Sequence, residues 1–145
     1  MALPKTHTPF LFEIFEAFEL AQTDAQRIEI LRKNSGFELN TLLATNFRPT
    51  IVFDLPPGAP PFKRDDGDPD ESLTRVKSAM SDLPSLLKTS KIDSTRKETR
   101  FIGILESIHC READLIILMK DKQLSMRYPT LTPQIVKLAI PGVFA

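Results

Sequence analysis

A chain of 145 residues is the usual length of one domain, long enough to bury a core without disulfides or a structural metal. Its 19 Lys and Arg balance 19 Asp and Glu, so the formal net charge is zero, which speaks against a dedicated nucleic-acid binder, since such proteins carry a basic excess. With 41% hydrophobic and 26% charged residues it reads as soluble and globular, and a single cysteine allows no internal disulfide, in keeping with a reducing cytoplasm.

Thr8-Pro9 reads as a helix start, because Thr caps and Pro suits the first helical position. In the following FLFEIFEAFEL, Leu11, Ile14, Phe15 and Phe18 share one face and Glu13, Glu16 and Glu19 lie away from it. The face reads as core; the alternative is a Phe-rich anchor for a partner. Thr23 and Gln26 make a capping box for a second helix that stops at Asn34-Ser35-Gly36. Phe37, Leu42, Leu43 and Phe47 predict a third helix ending before Arg48-Pro49. Short connections favour antiparallel neighbours in this first helical part.

Residues 50 to 63, TIVFDLPPGAPPFK, break the pattern. Ile51, Val52 and Phe53 are strand formers, and Pro56-Pro57 and Pro60-Pro61 forbid a helix. The segment reads as an extended strap packed across the helices, or as a docking arm. The acidic DDGDPDE that follows places Asp66, Asp68 and Asp70 at calcium-loop spacing, but Glu71 stands where that loop needs Gly and Lys77 where it needs Glu. It therefore reads as a loop whose acids favour the next helix N-terminus. That helix carries Leu73, Val76, Met80 and Leu83 and breaks near Pro84.

Residues 88 to 100 are locally basic, and Thr95 with Glu98 forms a further capping box. Arg96, Lys97 and Arg100 sit near a helix N-terminus, against the dipole preference, so they are candidate contacts for an acidic partner, a phosphate or a nucleic acid; the plainer reading is a solvated face.

The stretch LESIHCREADL, residues 105 to 115, concentrates His109, Cys110 and acids. Phe101, Ile104, Leu105 and Ile108 line a helix ending near His109, and Ala113, Ile116, Ile117 and Lys120 follow a new register, so His109-Cys110-Arg111 is the corner between two helices. Adjacent His and Cys point apart, and a zinc site needs about four convergent ligands. His109 is therefore expected to cap or pack at the corner. The last helix starts at Thr132-Pro133, carries Val136, Ala139 and Ile140, and stops at Pro141-Gly142. The tail either tucks Phe144 into the core or offers it to a partner. The longest strictly apolar run, Leu115 to Met119, is far too short to span a bilayer, and MALPKTHTPF lacks a secretory pattern.

Four blocks, IEILRKN (28–34), FDLPPGAPPFK (53–63), FIGILESIHCREADLIILMKDKQL (101–124) and YPTLTPQIVKLAIPG (128–142), resemble a family of small tailed-phage proteins known as a domain of unknown function. The landmarks of that family correspond to Asp54-Leu55-Pro56, Asp121-Lys122 and Tyr128 here. The resemblance implies a phage protein acting in the virion or the host cytoplasm, and proline at the position held by Cys110. It brings no activity and no catalytic residue.

Together these readings predict a mainly α-helical compact bundle of about six or seven helices with one extended proline-rich segment. It forms a single domain over 1–145, with a helical part 8–47, a strap and acidic loop 48–71, and a helical part 72–145. The expected role is a non-enzymatic phage protein–protein interaction protein, a virion component or assembly factor. Leu55, Pro56, Pro60, Pro61, Phe62 and Phe144 are its candidate contacts. The partners are phage proteins, either homo-oligomeric or within a larger assembly, with no membrane, cofactor, metal or catalytic residue expected. The alternative is a nucleic-acid-associated accessory factor using Arg96, Lys97 and Arg100. An enzyme ranks third, since the sequence carries no G-x-x-x-x-G-K loop, H-E-x-x-H or nucleophile elbow.

Overall fold

Apolar periodicity becomes eight α-helices among the described residues: α1 Leu11–Leu20, α2 Asp24–Lys33, α3 Phe37–Phe47, α4 Val76–Ser81, α5 Ser94–Ser107, α6 Cys110–Lys120, α7 Leu124–Arg127 and α8 Pro133–Ala139. This is a computed structural model, and it describes residues 9–72 and 76–144. The expected mainly α fold is present. The helix beyond the expected number is α7, a single turn too short to show a period.

The organising element is α6, which packs against α1, α3, α5 and α7. Cys110, Ala113, Leu115, Ile116 and Met119 are all buried and spread around its circumference, as a helix enclosed on most sides requires. The α1 face Leu11, Ile14, Phe15 and Phe18 is buried in the same core, so Phe15 and Phe18 are not exposed to a partner. On the outside, α2 lies between α1 and α8. Val143 closes the tail into the core.

Local capping explains several helix starts. Thr23 Oγ1 accepts from the Gln26 N–H at 3.2 Å, and Thr132 Oγ1 accepts from the Ile135 N–H at 3.2 Å with Pro133 at the first helical position. Two starts differ from expectation. Thr8 lies outside the described residues, and α1 opens after Phe10, whose N–H donates to Glu13 Oε1 at 2.8 Å, so Pro9 precedes the cap. At α5 the cap is Asp93, whose Oδ1 accepts from the Arg96 N–H at 2.9 Å; Asp is the stronger cap and displaces the Thr95 box. Leu73 also lies outside the described residues; α4 buries Val76 and Met80 and hands over to a 3-10 turn at Leu83–Leu86.

The proline-rich segment is extended, as expected. Its Ile51-Val52-Phe53 run makes no strand among the described residues, only an antiparallel bridge from Phe53 to Leu87. The Asp54 N–H donates to the Leu86 carbonyl at 2.9 Å, and the Lys88 N–H donates to the Val52 carbonyl at 2.9 Å. Further fastening comes from side chains. Lys97, only 1% exposed, donates from Nζ to Asp54 Oδ2 at 3.0 Å, the Leu87 carbonyl at 2.9 Å and the Ser90 carbonyl at 3.1 Å. Lys120 Nζ donates to the Pro56 carbonyl at 2.8 Å and to Asp121 Oδ1 at 2.6 Å, while Asp121 Oδ2 accepts from the Gly58 N–H at 2.9 Å.

Lys122 ends two helices. Its φ of +57° is left-handed, the Gln123 N–H donates to the Leu118 carbonyl at 2.7 Å, and the Lys122 N–H donates to the Met119 carbonyl at 3.0 Å. That is a Schellman end to α6 with lysine where glycine is usual. Its Nζ meanwhile donates to the Thr45 and Arg48 carbonyls, both at 2.7 Å, and so caps α3.

Two stability predictions follow from these lysines. Lys97→Met removes a buried ammonium that serves a carboxylate and two carbonyls, and is expected to cost about 2–3 kcal/mol in urea denaturation. Hydrogen bonds from Lys97 and then Ser94 hold Asp54 below its ordinary carboxylate range. A depressed folded pKa gives stability that is present above the unfolded value of about 4 and is lost as pH falls through the folded one, so the gap between the two proteins should narrow below about pH 4. At Lys122, glycine relieves about 1 kcal/mol of left-handed strain but loses both carbonyl contacts, whereas methionine loses the contacts and keeps the strain. Lys122→Met should therefore be the less stable of the two variants, and both should fall below wild type.

Candidate functional site

On the face opposite the strap's lysine fasteners, α6 presents Arg111, Asp114, Leu115 and Leu118, one helical stripe. Phe12, Glu16 and Glu19 of α1 form a second stripe facing it. Tyr128, just past α7, and Ala59 and Arg64 from the strap complete a cleft of about 650 Å³.

Three ion pairs line this cleft. Arg64 holds Asp114 through two parallel contacts, Nη1 to Oδ1 at 2.7 Å and Nη2 to Oδ2 at 3.0 Å, which push its guanidinium pKa further up. Arg111 Nη2 lies 2.9 Å from Glu16 Oε2, and Arg127 Nη1 donates to Glu19 Oε2 at 2.6 Å. The Arg127 hydrogen bond holds Glu19 below its ordinary range. All three guanidiniums also lie over rings, Arg64 the farthest at 5.8 Å from the Phe62 centroid. Arg111 stands 4.4 Å from the Phe12 centroid and Arg127 stands 4.6 Å from that of Tyr128. The Tyr128 ring is itself fixed by stacking on Phe15, centroids 5.0 Å apart.

The corner His109-Cys110-Arg111 is as expected in form. His109 caps α6, its Nδ1 accepting from the Arg111 N–H at 3.1 Å, and Cys110 is buried at the first helical position with its N–H donating to the Asp65 carbonyl at 2.8 Å. Arg111 and Asp114, from the same stretch, carry it into the cleft. Among the described residues there is no group of three or more His, Cys, Asp or Glu able to hold a metal ion, and no helix long and apolar enough to cross a membrane.

The other sequence candidates scatter. Pro56 and Pro61 are exposed on the strap, while Leu55 and Phe62 pack partly against the core. Leu55, Pro56, Pro60 and Pro61 border a separate hollow of about 190 Å³ shared with Glu98 and Phe101 of α5. Phe144 is half-buried against Phe47, with centroids 6.1 Å apart. Lys97 requires correction. As a buried fastener of the strap it is unavailable to an anion or nucleic acid, because its donors serve Asp54, Leu87 and Ser90. Arg96 is exposed beside Asp93, and Arg100 donates to Ser85 Oγ at 3.1 Å. The cleft arginines were not anticipated. Arg64, Arg111 and Arg127 come from separate stretches, and no local pattern announces that they meet.

A model described as a family of unknown function, DUF6433, matches residues 14–126 of the chain. No curated protein and no solved structure matches it.

Tyr128 gives the cleft its own reporter, being the only tyrosine in a chain without tryptophan. Burial pushes its phenol above the ordinary value, and the nearby Arg127 charge opposes this more weakly. A spectrophotometric titration should give a native midpoint above about 10 that returns to about 10 in denaturant. Because the folded value is raised, the linked stability is present below the unfolded pKa and is lost as pH rises through the folded one. A native midpoint at or below the denatured one would contradict this description of the cleft floor.

Proposed function

The chain belongs to this family of unknown function, and from that premise we propose a non-enzymatic role in protein–protein interaction, with the cleft between α1, α6 and α7 as the docking face. The observation that carries the reading is the composition of that face. Arginine, tyrosine and phenylalanine are the residues over-represented where partners bind, and Arg64, Arg111, Arg127, Phe12 and Tyr128 gather here. Leu20 and Met126, each the chain neighbour of one member of the Glu19–Arg127 pair, are 80% and 76% exposed. Large apolar side chains beside a charged cleft supply the anchor and rim of a docking site.

The resemblance to small tailed-phage proteins supports a phage partner, with the protein acting as a virion component or assembly factor. The exposed Pro56 and Pro61 offer a second contact on a strap already held in place, so little ordering entropy opposes their use.

A photoreactive side chain at Met126 should give one discrete cross-linked species in producing cells. The same group at Leu138, which is exposed on α8, should not. Equal products from both positions, or none from Met126, would remove this face as the docking site. Quantitative mass spectrometry of purified particles separates the two roles: a fixed ratio to shell or tail proteins marks a virion component, and absence from particles marks an assembly factor.

A further inference from the structure

We propose that the hollow between α3, α4 and the strap is a second binding site, built for an uncharged, mostly apolar small molecule. It shares no residue with the cleft and stands independently of the docking reading.

Fixed elements form its walls. Phe37, Thr41 and Thr45 follow one another at four-residue spacing along one face of α3. Phe53 of the strap forms a second wall, and Met80 and Leu83 form a third where α4 passes into its 3-10 turn. These last three side chains are buried members of the core, so the hollow opens directly onto it. Phe37 is 46% exposed, a large ring left partly in solvent on the lining. The strap wall is pinned by the Phe53–Leu87 bridge and by Lys97, and the end of α3 is pinned by Lys122. The shape is therefore preformed, and little ordering entropy opposes binding.

The lining selects the ligand. Among the described residues no charged side chain lines the hollow, in a chain where 26% of residues are charged. A charged ligand would give up its hydration there with no opposite charge to replace it. Water in the hollow meets few polar side chains, so an apolar ligand displaces it favourably. The space is about 470 Å³. A cavity of about 150 Å³ holds one benzene, so this hollow takes about two or three fused rings, and a single apolar side chain of a partner leaves much of it unfilled. A partner's backbone would also bring N–H and C=O groups against side chains that offer only hydroxyls. One polar contact is specified. Ser81 Oγ donates to the Lys77 carbonyl at 3.2 Å, and its lone pairs remain to accept from a ligand hydroxyl.

The test follows the methionine methyl signals of the full chain by NMR at neutral pH. The titrants are naphthol, naphthoate and naphthylmethylammonium, which share a ring system and differ in charge, and N-acetyl-leucinamide. Met80 reports the hollow, and Met126, exposed beside the cleft, reports unspecific contact. Naphthol should move Met80 saturably and leave Met126 in place. Both charged naphthalenes should bind at least about tenfold more weakly, because their desolvation goes uncompensated. Phe37→Ala should weaken naphthol binding about fivefold through lost apolar contact, with the melting temperature unchanged. Thr41→Phe, which fills the hollow from its α3 wall, should abolish binding; if that variant does not fold, Phe37→Ala decides alone. Naphthol binding unaltered by Phe37→Ala would overturn the placement of the site. Equal binding of either charged naphthalene would overturn the uncharged assignment. Tighter binding of N-acetyl-leucinamide would overturn the small-molecule assignment in favour of a partner's side chain. No shift of Met80, or parallel unsaturable shifts of Met80 and Met126, would remove the site.

Discussion

Three lysine ammonium groups do the work that a sheet or a disulfide does in other small proteins. A proline-rich extended segment is poor in N–H donors and rich in carbonyls, so it cannot satisfy itself, and a carbonyl left without a partner in a packed interior is costly. Lys120 from α6 brings a donor to the strap's Pro56 carbonyl, and Lys97 from α5 holds the strap by the Asp54 carboxylate while serving the carbonyls of Leu87 and Ser90. Lys122, just past α6, serves those of Thr45 and Arg48 at the end of α3. Burying such charges is tolerable only because acids accompany two of them, Asp54 beside Lys97 and Asp121 beside Lys120. Among the described residues Lys122 has no such acid. Burial pushes its pKa down, and its Nζ donates to two carbonyl oxygens at 2.7 Å.

The position of the cleft depends on this fastening. Once the strap is tied to α5 and α6, Ala59 and Arg64 stand as one wall of the cleft, and α6 serves both sides of the molecule. Its Lys120 faces the strap, while Arg111, Asp114 and Leu118 face the cleft. The ion pairs across the cleft differ in kind from the buried ones. They join half-exposed side chains on different elements, where a salt bridge contributes little to stability. Their effect is to orient guanidiniums and carboxylates along the cleft.

Local chemistry was legible in the sequence where a single turn of chain decides the outcome. The Thr23 and Thr132 caps, the stop after Asn34 and the His109 corner all depend on residues within a few positions of one another. Where two local signals competed, the stronger acceptor prevailed, as Asp93 did over Thr95. Lys97 was misread for a different reason. Charge and periodicity place lysine at the surface, and its burial depends on Asp54, Leu87 and Ser90, three separate positions that only the folded strap brings together. The cleft was hidden in the same way. Glu16 and Glu19 read as the solvated edge of an amphipathic helix, and nothing in α1 names Arg111 or Arg127 as their partners.

The residues that carried the family resemblance now divide by what they touch. Asp54 and Asp121-Lys122 hold the strap and the end of α3, which is an architectural role. Tyr128 faces the cleft and stacks on Phe15 of α1. The corner residue is more specific than the resemblance implies. Proline would suit the first position of α6 conformationally, but the Cys110 N–H donates to the Asp65 carbonyl at 2.8 Å, and a proline has no proton to give. That bond ties the start of the acidic loop to the start of α6, one residue from Arg111. In this chain the link between them is the backbone N–H of the cysteine.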